Sequence, residues 1–382
     1  MAPERSAREV DNVAPAVSIN YQREWVYDEG DLVTVWAKFT DPGWSDTHTV
    51  EIDWGVPDDH PGEVVNVPTF EITNEGDPGP KRGRVTGTYK YGDTEKGDGF
   101  EVVVTVTDDD GGVGTDTVTL TVDNVAPTIE DVSHDHDTVD LGGVSTILAQ
   151  SGDLLEFDVR VTDPGSDDLT LDADFGDGTS DSWESLVDPP DPDPWISPTV
   201  QPRDVTFPVA QTFADACSYQ VTFTASDDDG GKDTDQAMVV VVGDADAARG
   251  AGYWMTEYRE QKSVAYTPDT LGCFLEIVGQ LSEVFHDEVD ASTLEDAAEV
   301  LHPRNAGGEM IVQLDRQLLV AWVNVASGAI GYDELVDTSG DGVGDTPFNE
   351  VLAVAEEARL DPVTDSVELE GHKDILEKMN TS

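Results

Sequence analysis

The sequence predicts a multidomain chain: two antiparallel β-sandwiches followed by an all-α helical bundle. Three observations predict it. The chain contains an internal repeat, apolar residues recur at every second position inside each repeat, and from about residue 245 the apolar spacing becomes helical.

The repeat comes first. EGDLVTVWAKFTDPG (29–43) matches SGDLLEFDVRVTDPG (151–165), and VTVTDDDGGVGTD (104–116) matches FTASDDDGGKDTD (223–235). DNVAPAV (11–17) matches DNVAPTI (123–129). One unit of about 115–120 residues therefore occurs twice. The expected division is a tail at 1–12 resembling the end of a preceding repeat, sandwiches at 13–124 and 125–244, and a helical domain at 245–382.

Within a unit, Phe100, Val102, Val104 and Val106 alternate with Glu101, Val103, Thr105 and Thr107, and Val118, Leu120 and Val122 alternate with threonines. Such Val/Thr runs fit a pleated, half-buried surface. The DDDGG between them supplies turn conformations, so each pair reads as an antiparallel hairpin with its aspartates at a solvated tip. Several such strands per unit imply a sandwich.

These residues resemble a known family. LDADFGDGTSD (171–181) is similar to the WDFGDGT signature of PKD domains, and FTASDDDGG (223–231) and VTVTDDDGG (104–112) to that family's closing strand. Tyr219 and Val221 stand where that strand begins in the second unit, Phe100 and Val102 in the first. The first unit has VEIDWGVPDDH (50–60) instead, keeping Asp53, Trp54 and Gly55, and both units carry insertions, at about 57–82 and 180–205. The resemblance covers residues 13–243. It implies immunoglobulin-like sandwiches of extracellular proteins, acting as spacers or adhesion modules.

In the C-terminal third, Leu271, Phe274, Leu275, Val278, Leu281 and Phe285 recur at helical spacing after Thr267, Pro268 and Asp269. Ser292 and Glu295 suggest a capping box before a short helix that stops at Pro303. Ile311, Leu314, Leu318, Ala321, Trp322 and Val325 mark a long helix with Gly328 as its C′ residue. Pro347 suits the first turn of a further helix, and a last short one holds Ile375, Leu376 and Met379. No β signal is expected there. Gly252, Tyr253 and Trp254, with Val323, Asn324, Val325, Ala326, Ser327, Gly328 and Ala329, resemble the G-Y-W and L-N-V-A-x-G-A motifs of helical tail modules that follow PKD-type repeats in surface proteins. Met255 replaces the usual Lys after Trp.

Composition narrows the function. With 81 acidic residues against 20 basic ones, the formal net charge is −61. Such a surface repels itself until salt near 1 M shortens the Debye length to roughly 3 Å, which points to a haloarchaeal setting. Little cationic charge is available to neutralise phosphates, so nucleic acid and anionic lipid are excluded as partners. No 18-residue apolar run offers a membrane span, and MAPERSAREVDNVAPAV has no apolar signal-peptide core. Cys217 and Cys273 fall in different expected domains, so two buried thiols are expected rather than a disulfide.

Candidate chemistry centres on DTSGDGVGD. Asp337, Ser339, Asp341, Val343 and Asp345 take positions 1, 3, 5, 7 and 9 of an EF-hand-like loop with Gly342 at the sharp turn, so Ca2+ is the expected ion. Position 12 is Phe348, where an acid is expected; Glu350 could reach back. Asp108–Asp110 and Asp227–Asp229, with Asp41, Asp163, Asp172 and Asp174, could hold calcium where sandwiches meet, but they read first as solvated turns. His134, Asp135, His136 and Asp137 form a cluster that reads first as linker. No nucleophile–base pair, zinc motif or phosphate loop is present, so no enzyme is expected.

The expected function is a non-enzymatic extracellular module: a stalk with a helical anchoring or contact end, on a haloarchaeal cell surface or virus particle. Its partner would be a protein or glycan, surface-layer or virion component. The alternative is an accessory substrate-binding region of a secreted hydrolase.

Overall fold

The computed structural model describes residues 11–20, 22, 24–56, 62–76, 79–92, 98–141, 144–186, 201–259, 265–303 and 308–381. The tail before residue 11 lies outside these residues, as do much of the 180–205 insertion and the start of the 57–82 one.

The first sandwich pairs β1 (Ala16–Ile19), β3 (Leu32–Asp41), β6 (Lys81–Tyr91) and β5 (Gly62–Ile72), in that order, against β2 (Val26–Asp28), β8 (Val113–Asp123), β7 (Asp98–Asp108) and β4 (His48–Asp53). The alternation decides which side chains meet. Val33, Val35, Ala37 and Phe39 of β3 are buried at every second position, as are Phe100, Val102, Val104 and Val106 of β7. The polar residues between them face water.

The second sandwich repeats the plan. One sheet is β15 (Arg203–Thr212), β12 (Leu154–Asp163) and β9 (Thr128–His134). The other runs β10 (Thr138–Leu141), β11 (Val144–Gln150), β17 (Lys232–Val242), β16 (Cys217–Ser226), β13 (Leu169–Asp174) and β14 (Ser180–Ser185). Among the described residues each sandwich has one parallel pair at the corresponding place, β2 on β8 and β11 on β17. The DWG and DFG motifs do the same work in both. Trp54 and Phe175 enter the core, and Asp53 and Asp174 accept the amides of Gly55 and Gly176. Both glycines have φ near +75°, and a Cβ would meet the backbone O of Glu101 at 2.6 Å or of Gln220 at 2.8 Å. Only glycine fits.

The C-terminal region is helical: α1 (Ala251–Tyr258), α2 (Pro268–Leu281), a π-helical turn (Val284–Glu288), α3 (Leu294–Val300), α4 (Met310–Ala326), α5 (Phe348–Leu360) and α6 (Ser366–Met379). Thr267 caps α2 with Pro268 at its first turn, as expected. Gly328 closes α4 with φ +78°, its amide on Val325 O and that of Ala329 on Asn324 O.

Four expectations are corrected. The cap of α3 is Thr293, which accepts the Asp296 amide, not Ser292. The last helix is 14 residues long and begins after the cap Asp365; Val367 and Leu369 alternate with Ser366, Glu368 and Glu370, a spacing of two that does not read as helical. A two-stranded ribbon, β18 (Leu335–Val336) with β19 (Thr346–Pro347), lies among the helices, although no β signal was expected. The two cysteines form a disulfide, Cys217–Cys273, across the expected domain boundary.

Candidate functional site

The two sandwiches meet head to foot, and the joint is built from carboxylates. In the second sandwich one oxygen from each of Asp163, Asp167 and Asp227 lies within 4.8 Å of the others, and all three residues are buried. The first sandwich supplies Glu29, which stands in a second such group with Asp167 and Asp229 and is 2% exposed. Glu29 Oε1 accepts the Val125 amide at 2.7 Å, and Gly92 O accepts the Ser166 amide at 2.6 Å. At Gly30 (φ +75°) a Cβ would meet Pro164 O at 2.6 Å, so the foot fits the head only because glycine stands there.

The DNVAP motif belongs to this joint. Asn124 donates its side-chain amide to Asp227, and the Gly231 amide reaches the same carboxylate at 2.6 Å. Asn12 does the same to Asp108, both contacts at 3.0 Å, and the Gly112 amide joins at 2.7 Å. The expected solvated tip holds for Asp109, Asp110 and Asp228 and fails for Asp108 and Asp227, which are buried. Asp172 and Asp174 are exposed on β13 and take no part in these groups.

One substitution between the repeats changes the electrostatics. In the first sandwich Asp41, Asp46 and Asp108 converge, and His48 Nε2 sits 2.9 Å from Asp41 Oδ2. The matching position in the second is Leu169, which offers no hydrogen bond. Asp163 is pushed up to about 6, by burial first and then by Asp227, against the Gly165 amide and Arg203, which pull it down. A proton shared within this group is the available compensation.

The second sandwich is also locked to the helices. Ala216 and Val240 are buried in the helical core, and Leu148 and Val242 pack on it. The Gly243 amide donates to Ala326 O and the Ala245 amide to Ser327 O, each at 2.9 Å. Gly243 and Gly328 lie back to back: a Cβ on Gly328 would come 1.8 Å from Gly243 O. The disulfide adds a covalent tie from β16 to α2.

In the acidic loop, the Asp337 carboxylate accepts the amides of Gly340, Asp341 and Gly342 and the Ser339 hydroxyl, and Lys378 Nζ lies 3.6 Å away. These contacts, the Gly342 amide foremost, hold its pKa below the usual range. Asp345 is held lower still by the Thr338 hydroxyl and amide, with Thr346 and Ser339 adding to them. Asp341 accepts the Val343 amide. Ser339, Asp341 and Val343 are exposed. In this form the loop turns amide hydrogens toward Asp337, and Asp337, Asp341 and Asp345 do not stand among the carboxylate groups that converge within 4.8 Å.

His134 ends β9, paired opposite Phe157, so it belongs to the second sandwich rather than to a linker; His136 pairs with Asp135 at 2.7 Å. A cavity of about 420 Å³ opens between β16–β17 and α2, lined by Ser218, Gln220, Met238, Leu275, Gln280 and His286 among others. Sequence reasoning missed the buried Glu29 and the cystine. The EGD/SGD repeat was the available signal for the first.

No family model matches the chain, and no curated protein does. Among solved structures, the PKD domain of human SorCS2 is 18% identical, covering 32% of this chain and 78% of that one, with a TM-score of 0.22. The PKD domain of an M14-like peptidase from a Thermoplasmatales archaeon is 19% identical, covering 30% and 92%, TM-score 0.20. The Yersinia pseudotuberculosis adhesin InvE is 12% identical over 61% of this chain and 60% of that one, TM-score 0.24. No helix is long and apolar enough to cross a membrane. The chain is two β-sandwiches followed by a helical region.

Proposed function

We propose that the chain is a non-enzymatic structural and adhesion module of an extracellular surface, with the sandwiches as a stalk and the helical region as its anchoring or contact end. The joint carries this reading. Glu29 and Gly30 of one sandwich are inserted into the head of the next, and the second sandwich shares a core with the helices. Such serial docking makes a spacer with fixed angles rather than beads on a string. The net charge of −61 supports a haloarchaeal cell surface or virus particle as the setting, with protein, glycan, surface-layer or virion components as partners.

Antibody labelling of intact haloarchaeal cells and of their virus particles tests the reading. Label on either exterior supports it. Label confined to the cytosol, or retention of the chain on insoluble chitin or collagen, would favour other readings, the latter a hydrolase accessory.

Calcium at Asp337, Ser339, Asp341, Val343 and Asp345 would set the angle between α4 and α5 in this reading. The ion would have to displace the amide bonds on Asp337. Asp341→Ala should then lower the melting temperature in calcium and leave it unchanged in chelator. Equal melting of wild type and variant in both would make the loop only a turn.

A further inference from the structure

We propose that the head of the first sandwich is a docking surface for the foot of another sandwich of this kind, one presenting a Glu-Gly-Asp turn between strands equivalent to β2 and β3. The chain displays this joint once, and the first sandwich carries its receiving half a second time. Asn12 is set on Asp108 as Asn124 is on Asp227. The Gly112 amide matches that of Gly231, and Asp109 accepts the Thr47 amide as Asp228 accepts that of Asp168, both at 3.0 Å.

The difference between the two heads is cover. At the occupied head Gly165, Ser166 and Asp167 are buried under the incoming turn and Val125 is half-buried. At the other head Trp44 is 65% exposed and Val13 54% exposed. Two large apolar side chains thus stand in water where the equivalent surface is covered, beside a carboxylate group already organised for a partner. The Glu-Gly-Asp turn of the first sandwich is engaged by the second, and the matching turn of the second, Ser151-Gly152-Asp153, lacks the glutamate. The occupant is therefore a further sandwich with a free turn, not the same end of a second copy.

A chain in which residues 13–122 are repeated directly ahead of Asp11, with Trp44→Phe in the added copy, recreates the joint in high salt. Hydroxyl-radical footprinting read by mass spectrometry then follows the one remaining Trp44. Its oxidation should fall several-fold relative to the present chain. Gly30→Val in the added copy, which blocks the close approach, should restore it. Trp44 oxidised equally with and without the added sandwich, while Trp54 stays protected in both copies, would overturn the proposal. So would protection that survives Gly30→Val.

Discussion

Asn324 Oδ1 accepts the indole hydrogen of Trp254 at 3.0 Å, joining two sequence motifs that lie 70 residues apart. The same oxygen accepts the Arg249 amide, and Asn324 Nδ2 donates to Arg249 O and to Asn380 Oδ1, each at 3.1 Å. Asn324 is fully buried. Every polar atom of this side chain is used, and its partners come from the lead-in to α1, α1 itself and the end of α6.

Asn324→Ala would leave the Trp254 N–H, both Arg249 backbone groups and the Asn380 side chain short of a partner inside the protein. A buried unsatisfied group costs about 1–3 kcal/mol, so a loss of about 3 kcal/mol or more is expected. Chemical denaturation in high salt measures it. A loss below about 1 kcal/mol would mean that the network is not what closes the helical core.

Asp163 gives the joint a pH dependence. Its folded pKa, raised by burial to about 6, lies above the ordinary carboxylate value of 3.8. A carboxyl that is easier to protonate when folded contributes stability that is complete below the unfolded pKa and is lost as pH rises through the folded one. The melting temperature should therefore rise on acidification from pH 7 toward pH 5 at constant salt. Asp163→Asn should flatten that rise. A rise of equal size in the variant would assign it to other groups.

The Cys217–Cys273 bridge closes a sequence separation of 56 residues. In the chain-entropy model a loop of that size is worth about 4 kcal/mol. Reduction should lower the melting temperature of the wild-type chain by several degrees, and Cys273→Ser should melt at the reduced value under either condition. Identical melting of oxidised and reduced wild type would show that the shared core alone holds β16 to α2.

The charge of −61 predicts salt dependence. Native circular dichroism is expected above about 1 M salt, with expansion or unfolding on dilution as the Debye length grows. An unchanged spectrum and melting point in very low salt would remove the basis for a halophilic setting.

The sandwiches were legible because strands bury every second residue: Phe100, Val102, Val104 and Val106 announce their face directly. The joint was only half legible. DNVAP and DDDGG stood out as repeated strings, but turn aspartates look alike in sequence whether solvated, like Asp109, or buried, like Asp108. Burial there depends on Asn12 and the Gly112 amide, which lie far along the chain or on the backbone. The cystine was hidden for a related reason. A change of apolar period at about residue 245 marks where strands give way to helices, but it does not reveal that Val240 and Ala216 belong to the helical core. The first turns of α6 were hidden because Val367 and Leu369 alternate with Ser366, Glu368 and Glu370 at a spacing of two, not a helical one.

If the proposed stalk is a tether, the disulfide decides how tension travels along it. A pull on the two ends of the chain reaches Cys217 at the start of β16 and can cross the sulfur bridge straight to α2. Residues 218–272, including β17, the Gly243 turn and α1, then lie off the load-bearing line. They cannot be drawn out until the bridge is reduced. The closing hairpin of the second sandwich is thereby shielded from force, whereas the matching hairpin of the first, β7 with β8, has no such bypass. Along that line the first sandwich carries load through all of its strands, the second only through β9 to β15.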